Sequence, residues 1–128
     1  MYILFIMTWE GMNQRKFPRV SYKCLIRVAR DGREEEIDTF TENIGAGGIC
    51  VVLDRDLGLF SEVSLEMYLG DYAKAVTCRG TVVWIVKRRP TDKTEMERYD
   101  TGIEFQNMKE EDKERLAQLV QSILGSDT

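Results

Sequence analysis

Residues 20–28 read VSYKCLIRV, and this stretch decides what kind of fold the chain can form. Every second position is apolar or aromatic, and polar residues such as Lys23 and Arg27 lie between them. A period of two residues is typical of a strand with one face in the core and the other in solvent. Asp31 and Gly32 then supply a turn signal, so we expect the acidic stretch after them to return as the second arm of a hairpin.

Short strand candidates separated by turn signals continue along the chain. They lie at residues 49–53, 63–69, 73–79, 81–87 and 99–105. The segment 43–48 has three glycines in four residues and is expected to interrupt the sheet as a turn. Residues 90–98 are polar, which is typical of a surface loop.

The end of the chain changes period. Five apolar residues follow the spacing of an amphipathic helix: Leu116, Leu119, Val120, Ile123 and Leu124. Asn107, with Glu110 three residues later, has the form of an N-terminal capping box. About six strands followed by one helix predict an all-β fold with one helix. We expect a closed antiparallel barrel, because closure removes exposed strand edges and the helix can cover an open end.

Composition narrows the function. With 128 residues, 43% of them hydrophobic, the chain can bury one core and has no room for a second ordinary domain. A net charge of −4 gives no general attraction to nucleic acid polymers or anionic membranes. The chain has no histidine, which removes the commonest general base and metal ligand, so we expect neither an enzyme nor a metal site. Three cysteines without a CxxC pair fit the reducing cytoplasm.

The first residues contain an apolar run at 2–7. This run is too short to cross a bilayer, and it lacks the basic leader and small-residue cleavage site of a signal peptide. We therefore expect no membrane insertion. The run is interpreted as a strand extension or as the result of a start assigned too early, with Met12 as the alternative to Met1.

All charged residues in the range 13–30 are basic. From Lys23 onward they would face the acidic arm of the hairpin, so cross-strand charge pairing accounts for them. Arg15 and Arg19 differ because they precede the strand and flank Pro18, which disfavours helix. Guanidinium groups on such an extended segment can bind phosphate oxygens or the O6/N7 edge of guanine with two parallel hydrogen bonds.

The glycine-rich stretch Asn43-Ile44-Gly45-Ala46-Gly47-Gly48 admits two interpretations. It can be a tight turn or bulge that needs positive φ. It can also let a ligand approach the backbone and expose N–H groups to an anion, while the Asn43 amide donates and accepts at a base edge. Taken alone, the stretch leaves both interpretations open.

Together, these two elements resemble the PilZ domain family, whose signature is RxxxR followed by [D/N]xSxxG. Arg15 to Arg19 match the first part completely, and residues 43–48 match the second except at Gly45, where the family has serine. Residues 79–84 resemble the family's late barrel strand, and residues 101–105 with the terminal helix resemble its closing strand and helix. The resemblance defines a PilZ domain over 14–124, an N-terminal extension over 1–13 and a tail over 125–128.

The resemblance implies a six-stranded antiparallel PilZ-type β-barrel with a C-terminal α-helix that binds cyclic di-GMP. By position, Arg15 and Arg19 would hold phosphates and a guanine Hoogsteen edge, Asn43 would contact a guanine, and Gly48 would permit close approach. Gly45 offers no hydroxyl, and one neutral hydrogen bond contributes about 0.5–1.5 kcal/mol. Binding weaker by roughly twofold to tenfold follows from that range.

The implied role is that of a regulatory receptor without a cofactor or a metal. Cyclic di-GMP would order the arginine arm, and a protein partner in motility, adhesion or exopolysaccharide control would read the change. The alternative, motivated by Gly45, is a PilZ-like interaction module that has lost its ligand. Trp84 has a ring that can stack on guanine, but its position in an alternating strand favours a core role.

Overall fold

The computed structural model describes residues 19–32, 35–70, 74–88 and 96–126. Arg15, the extension at 1–13, residue 73 of one strand candidate and most of the loop at 90–98 lie outside the described residues. The described part forms seven strands and one helix. They are β1 (Arg19–Ser21), β2 (Leu25–Arg30), β3 (Glu36–Gly45), β4 (Gly48–Leu53), β5 (Glu62–Tyr68), β6 (Val76–Arg88), β7 (Arg98–Gln106) and α1 (Glu110–Ser126).

The strands close into one antiparallel barrel. Hydrogen-bonded neighbours run in the order β3–β2–β5–β6–β7–β4, and β4 pairs back onto β3. β1 and β2 pair with different halves of β3, Asn43–Gly45 and Glu36–Phe40, so together they act as one broken strand of the wall. The prediction of a six-stranded barrel with a C-terminal helix is confirmed.

The break in the first strand has a specific polar cause. Thr41 on β3 is 2% exposed, and its hydroxyl donates to the Tyr22 carbonyl oxygen at 2.7 Å and accepts from the Cys24 N–H at 3.0 Å. The pairing of β3 with β4 shifts register between Thr41 and Asn43 at the same level. The single strand expected at 20–28 is therefore two strands, because a side chain replaces part of the ladder.

The core fills the barrel with branched aliphatic side chains. One fully buried row crosses four strands through directly paired residues, Ile44, Ile49, Ile103 and Val82. The helix packs against β1 and β3 and adds Leu116 to this core, as its amphipathic spacing predicts. Within the described residues, no helix combines the length and apolar character needed to cross a membrane.

Two local expectations are wrong. The strands expected at 73–79 and 81–87 are one strand, β6, which runs through Gly80. A Cβ on Gly80 would lie 2.6 Å from Ile103 Cγ2. This glycine therefore leaves space for the Ile103 side chain and does not end the strand. Asn107 does not cap the helix, which begins at Glu110; its positive φ of 55° turns the chain after β7.

Candidate functional site

Two of the residues expected from sequence to bind the ligand meet on neighbouring strands. Arg19 on β1 is the Cα partner of Gly45 on β3, and Ser21 is the partner of Asn43. The Nη2 group of Arg19 donates a hydrogen bond to Oδ1 of Asn43. The pairing of β1 with β3 thus brings the end of the arginine motif onto the glycine-rich motif, 24 residues apart in sequence.

The glycine-rich stretch is mostly strand, whereas the sequence suggests a turn. Asn43 and Gly45 belong to β3, and only Ala46 and Gly47 form the bend before β4. Gly45 is buried, and it is not among the glycines with positive φ. Its backbone conformation is therefore one that residues with a Cβ also adopt.

Gly48 has a packing reason to be glycine. It is the first residue of β4 and the Cα partner of Glu104 on β7. A Cβ at this position would lie 2.5 Å from the carbonyl oxygen of Ile103, closer than real Cβ atoms come. The close approach that the sequence suggests for Gly48 is therefore an approach between two strands in this structure.

Asn43 continues into a row of paired residues on the side of the wall opposite the core. Its Cα partner on β4 is Cys50, which pairs with Gly102 on β7, which in turn pairs with Trp84 on β6. Trp84 is 6% exposed and packs with Cys50 and Val83 in a cluster separate from the main core.

Gly102 explains how the indole fits against the wall. A Cβ on Gly102 would lie 2.2 Å from two indole atoms of Trp84, so the ring occupies the space that a side chain would fill. A register shift between Val82 and Trp84 sets the position of the ring. Trp84 is thus buried, as expected, but against the outer wall of the barrel.

A charged pair lies in the neighbouring part of this wall. Arg88 Nε donates to Oδ2 of Asp100 at 2.8 Å, and this hydrogen bond is the main reason why the pKa of Arg88 is raised above its ordinary value. The charges of Asp100 and Glu42 act in the same direction. The wall outside the core therefore carries aromatic, amide and charged groups together.

The sequence motifs alone do not identify all of this wall. The position of Ser21 beside Asn43 is known only from the strand register. Arg88 and Asp100 belong to strands whose outward residues resemble ordinary surface positions in the sequence. The expected site residues Asn43, Gly45 and Arg19 are brought together, Gly48 lies just across the bend, and Arg15 lies outside the described residues. The described residues hold no group of three or more His, Cys, Asp or Glu side chains suited to a metal ion.

The described residues define a class of fold, a small closed antiparallel barrel with one packed helix and a cluster of polar side chains on its outer wall. The sequence profile of the PilZ domain matches residues 13–122, which is most of the chain. The chain belongs to the PilZ domain family. No curated protein matches the sequence.

Solved structures show the same fold at low sequence identity. The Bacillus subtilis inhibitor of motility MotI/DgrA aligns with a TM-score of 0.71 and 22% identity, over 90% of this chain and 53% of that one. The K. pneumonia MrkH–c-di-GMP complex gives 0.71 and 15%, over 88% and 53%. The PilZ domain of Escherichia coli YcgR with c-di-GMP gives 0.69 and 13%, over 89% and 94%. The chain thus spans about half the length of the first two and nearly all of the third.

Proposed function

We propose that this chain is a cyclic di-GMP receptor domain that regulates a protein partner and catalyses no reaction. The observation that carries the proposal is the contact between Arg19 and Asn43, which joins the two motifs on adjacent strands. Membership of the PilZ family supports it, as do the relatives MrkH and YcgR, whose structures were solved with this dinucleotide.

The chemistry of the two side chains suits the ligand. A guanidinium can donate two parallel hydrogen bonds to a phosphate or to O6 and N7 of guanine, and an amide can donate and accept at a base edge. Asn43 is fixed on β3, and its bond to Arg19 orients the guanidinium at the start of β1. Arg15 is the other arginine of the motif and completes the arm in this proposal.

Gly45 and Gly48 have different roles in this proposal. Gly45 lies beside Arg19 and has no side chain, so in this proposal it offers the ligand no hydroxyl contact. Gly48 is required by the approach of β7 and would support the site by holding β4 in place. We expect affinity in the micromolar range, which corresponds to about −8 kcal/mol.

Signalling in this proposal uses the arm that precedes β1. Cyclic di-GMP would draw Arg15 onto the wall beside Arg19, and the changed surface would be read in the cytoplasm by a protein that controls motility, adhesion or polysaccharide export. The similarity to MotI, an inhibitor of motility, favours a partner of this kind. No cofactor, metal, nucleic acid polymer or membrane insertion is part of the proposal.

Calorimetric titration with cyclic di-GMP tests the site. Arg19→Ala should bind roughly ten- to hundredfold more weakly, because a charge-assisted hydrogen bond contributes about 1.5–3 kcal/mol. Asn43→Ala should also weaken binding. Arg79→Ala is the matched control, since Arg79 is an exposed arginine on β6 whose ion-pair partner is Asp31 in the first hairpin; it should bind like the wild-type chain.

The possible contrary results differ in meaning. If Arg19→Ala kept wild-type affinity, the arginine motif would not be the site. If the wild-type chain gave no binding heat and no rise in melting temperature, the chain would be a ligand-blind interaction module. Linear dinucleotide forming in proportion to protein would contradict the absence of catalysis.

A further inference from the structure

Three apolar side chains are exposed side by side on the barrel. Phe40 on β3 pairs with Leu25 on β2, and Leu25 pairs with Tyr68 on β5. Their relative exposures are 50%, 41% and 39%. We call these three residues the apolar row.

The apolar row is a continuous patch. Directly paired residues of antiparallel strands have Cβ atoms about 4.5–5.5 Å apart, so each side chain borders the next. Single exposed hydrophobic residues are normal on protein surfaces, whereas large contiguous apolar patches mark interaction sites. Lys23 holds its ammonium 5.0 Å from the centre of the Phe40 ring, which is a cation–π contact at one edge of the patch.

Acidic side chains border the apolar row on one side. The next outward positions on the same strands are Asp38, Arg27 and Glu66, which again pair directly. Arg27 Nε lies 2.9 Å from Oδ1 of Asp38 and 3.1 Å from Oε2 of Glu36. Three carboxylates thus surround one guanidinium, so the rim has an excess of negative charge.

The other side of the row leads toward the candidate ligand site. Glu42 and Asn43 follow Phe40 along β3 after the buried Thr41, and Glu42 is exposed while Asn43 is half-buried. Among the described neighbours of the row, Glu36, Asp38, Glu42 and Glu66 are acidic and Lys23 and Arg27 are basic, so acidic charge is in excess among these residues. The apolar row therefore lies within a few residues of the contact between Arg19 and Asn43.

We propose that the apolar row is the docking surface for a protein partner that presents apolar side chains flanked by lysine or arginine. The apolar side chains would cover Phe40, Leu25 and Tyr68, and the basic residues would meet Glu66 and its neighbours. This inference adds a partner surface to the proposed receptor, and it can be tested without cyclic di-GMP.

The rim charge separates this occupant from the others. A second copy of the chain would bring the same acidic rim against itself, and like charges facing each other are unfavourable. Nucleic acid and anionic lipid are disfavoured for the same reason. A segment with apolar and basic side chains would cover the exposed rings and would also pair with the carboxylates that are in excess over Arg27.

Short synthetic peptides of stated composition test the chemistry. A peptide of alternating Lys and Val should bind to the wild-type chain in calorimetry, whereas peptides of alternating Glu and Val, or Lys and Ser, should bind far more weakly. The double variant Leu25→Ser/Phe40→Ser should lose tenfold or more of that affinity, as expected for anchor residues in an interface. Glu66→Gln should reduce both the affinity and its dependence on salt.

The controls distinguish docking from general stickiness and from ligand binding. Val86→Ser removes another exposed apolar residue, 41% exposed on β6, and should leave peptide binding unchanged. Arg19→Ala should bind the peptide normally, so a failure of the ligand proposal does not mimic a failure of this one. Equal binding of the Lys-Val and Glu-Val peptides, unchanged binding by the folded double variant, or self-association that Phe40→Ser abolishes would overturn the proposal.

Discussion

The site departs from the family pattern at one residue, Gly45, where the family has serine. Its φ is not in the left-handed region, so serine meets no backbone penalty there. We predict that Gly45→Ser binds cyclic di-GMP about twofold to tenfold more tightly, since one hydrogen bond contributes about 0.5–1.5 kcal/mol. Ala46→Ser places a hydroxyl one residue away and should bring no gain in the same titration. Weaker binding by Gly45→Ser, with an unchanged melting temperature, would mean that the ligand needs the bare backbone.

Cys78 on β6 should be chemically inert in the folded chain. Burial, with a smaller contribution from the charge of Asp112, raises the pKa of its thiol to about 12 from an ordinary value of 9.0. The folded state thus disfavours the thiolate, so this stability contribution is complete below pH 9.0 and is lost as pH rises toward about 12. The melting temperature of the wild-type chain should therefore fall more steeply above pH 9.0 than that of Cys78→Ala. Parallel slopes for the two proteins would refute the assigned cause.

Strands and their connections follow largely from local sequence. The alternation around Ile26 and the amphipathic spacing that buries Leu116 predict the elements, because a period of 2 or about 3.6 residues directly reflects which face is buried. The interruption after Ser21 has no local signal, since its cause is the hydroxyl of Thr41 from another strand. Gly80 causes the opposite error, because the sequence predicts a strand end there while β6 continues. The role of this glycine is to leave space for Ile103 across the sheet, which local sequence does not show.

The break between β1 and β2 should depend on one hydroxyl. Thr41→Val keeps the shape of the side chain but leaves the Tyr22 carbonyl and the Cys24 N–H without that partner. We predict a loss of about 1–3 kcal/mol in the free energy of unfolding, the usual cost of an unsatisfied buried polar group. Thr39→Val, on the same strand and only half-buried, should cost less. Equal losses in urea denaturation would show that the hydroxyl does not stabilise the break.

The outer wall should be sensitive to a single methyl group between β6 and β7. In Gly102→Ala the new Cβ would overlap the Trp84 indole, so the ring must move. We predict destabilisation of about 1–3 kcal/mol, as for overpacked sites, together with a change in tryptophan emission. Gly125→Ala, where a Cβ meets nothing within 4 Å, should not destabilise the helix. Unchanged emission and stability for Gly102→Ala would contradict the position of the indole.

The whole molecule joins segments that are distant in sequence. Asn43, Cys50, Gly102 and Trp84 share one row only because β3, β4, β7 and β6 are neighbours in a closed barrel. The two short motifs predict the contact between their own residues, but local sequence carries no information about which later strands lie beside them. The apolar row is equally hidden from sequence, since its three members look like ordinary strand positions.

The site itself is most directly tested by an NMR titration of the isotope-labelled chain with cyclic di-GMP. The backbone amides of β1 and of residues 43–48 should shift in proportion to ligand bound, as should the side-chain amide of Asn43. Signals from β5 should stay in place, because β5 pairs with β2 and β6 and has no pairing with β1 or with residues 43–48. Shifts centred on β5, with β1 and Asn43 unchanged at saturation, would contradict the proposed receptor site.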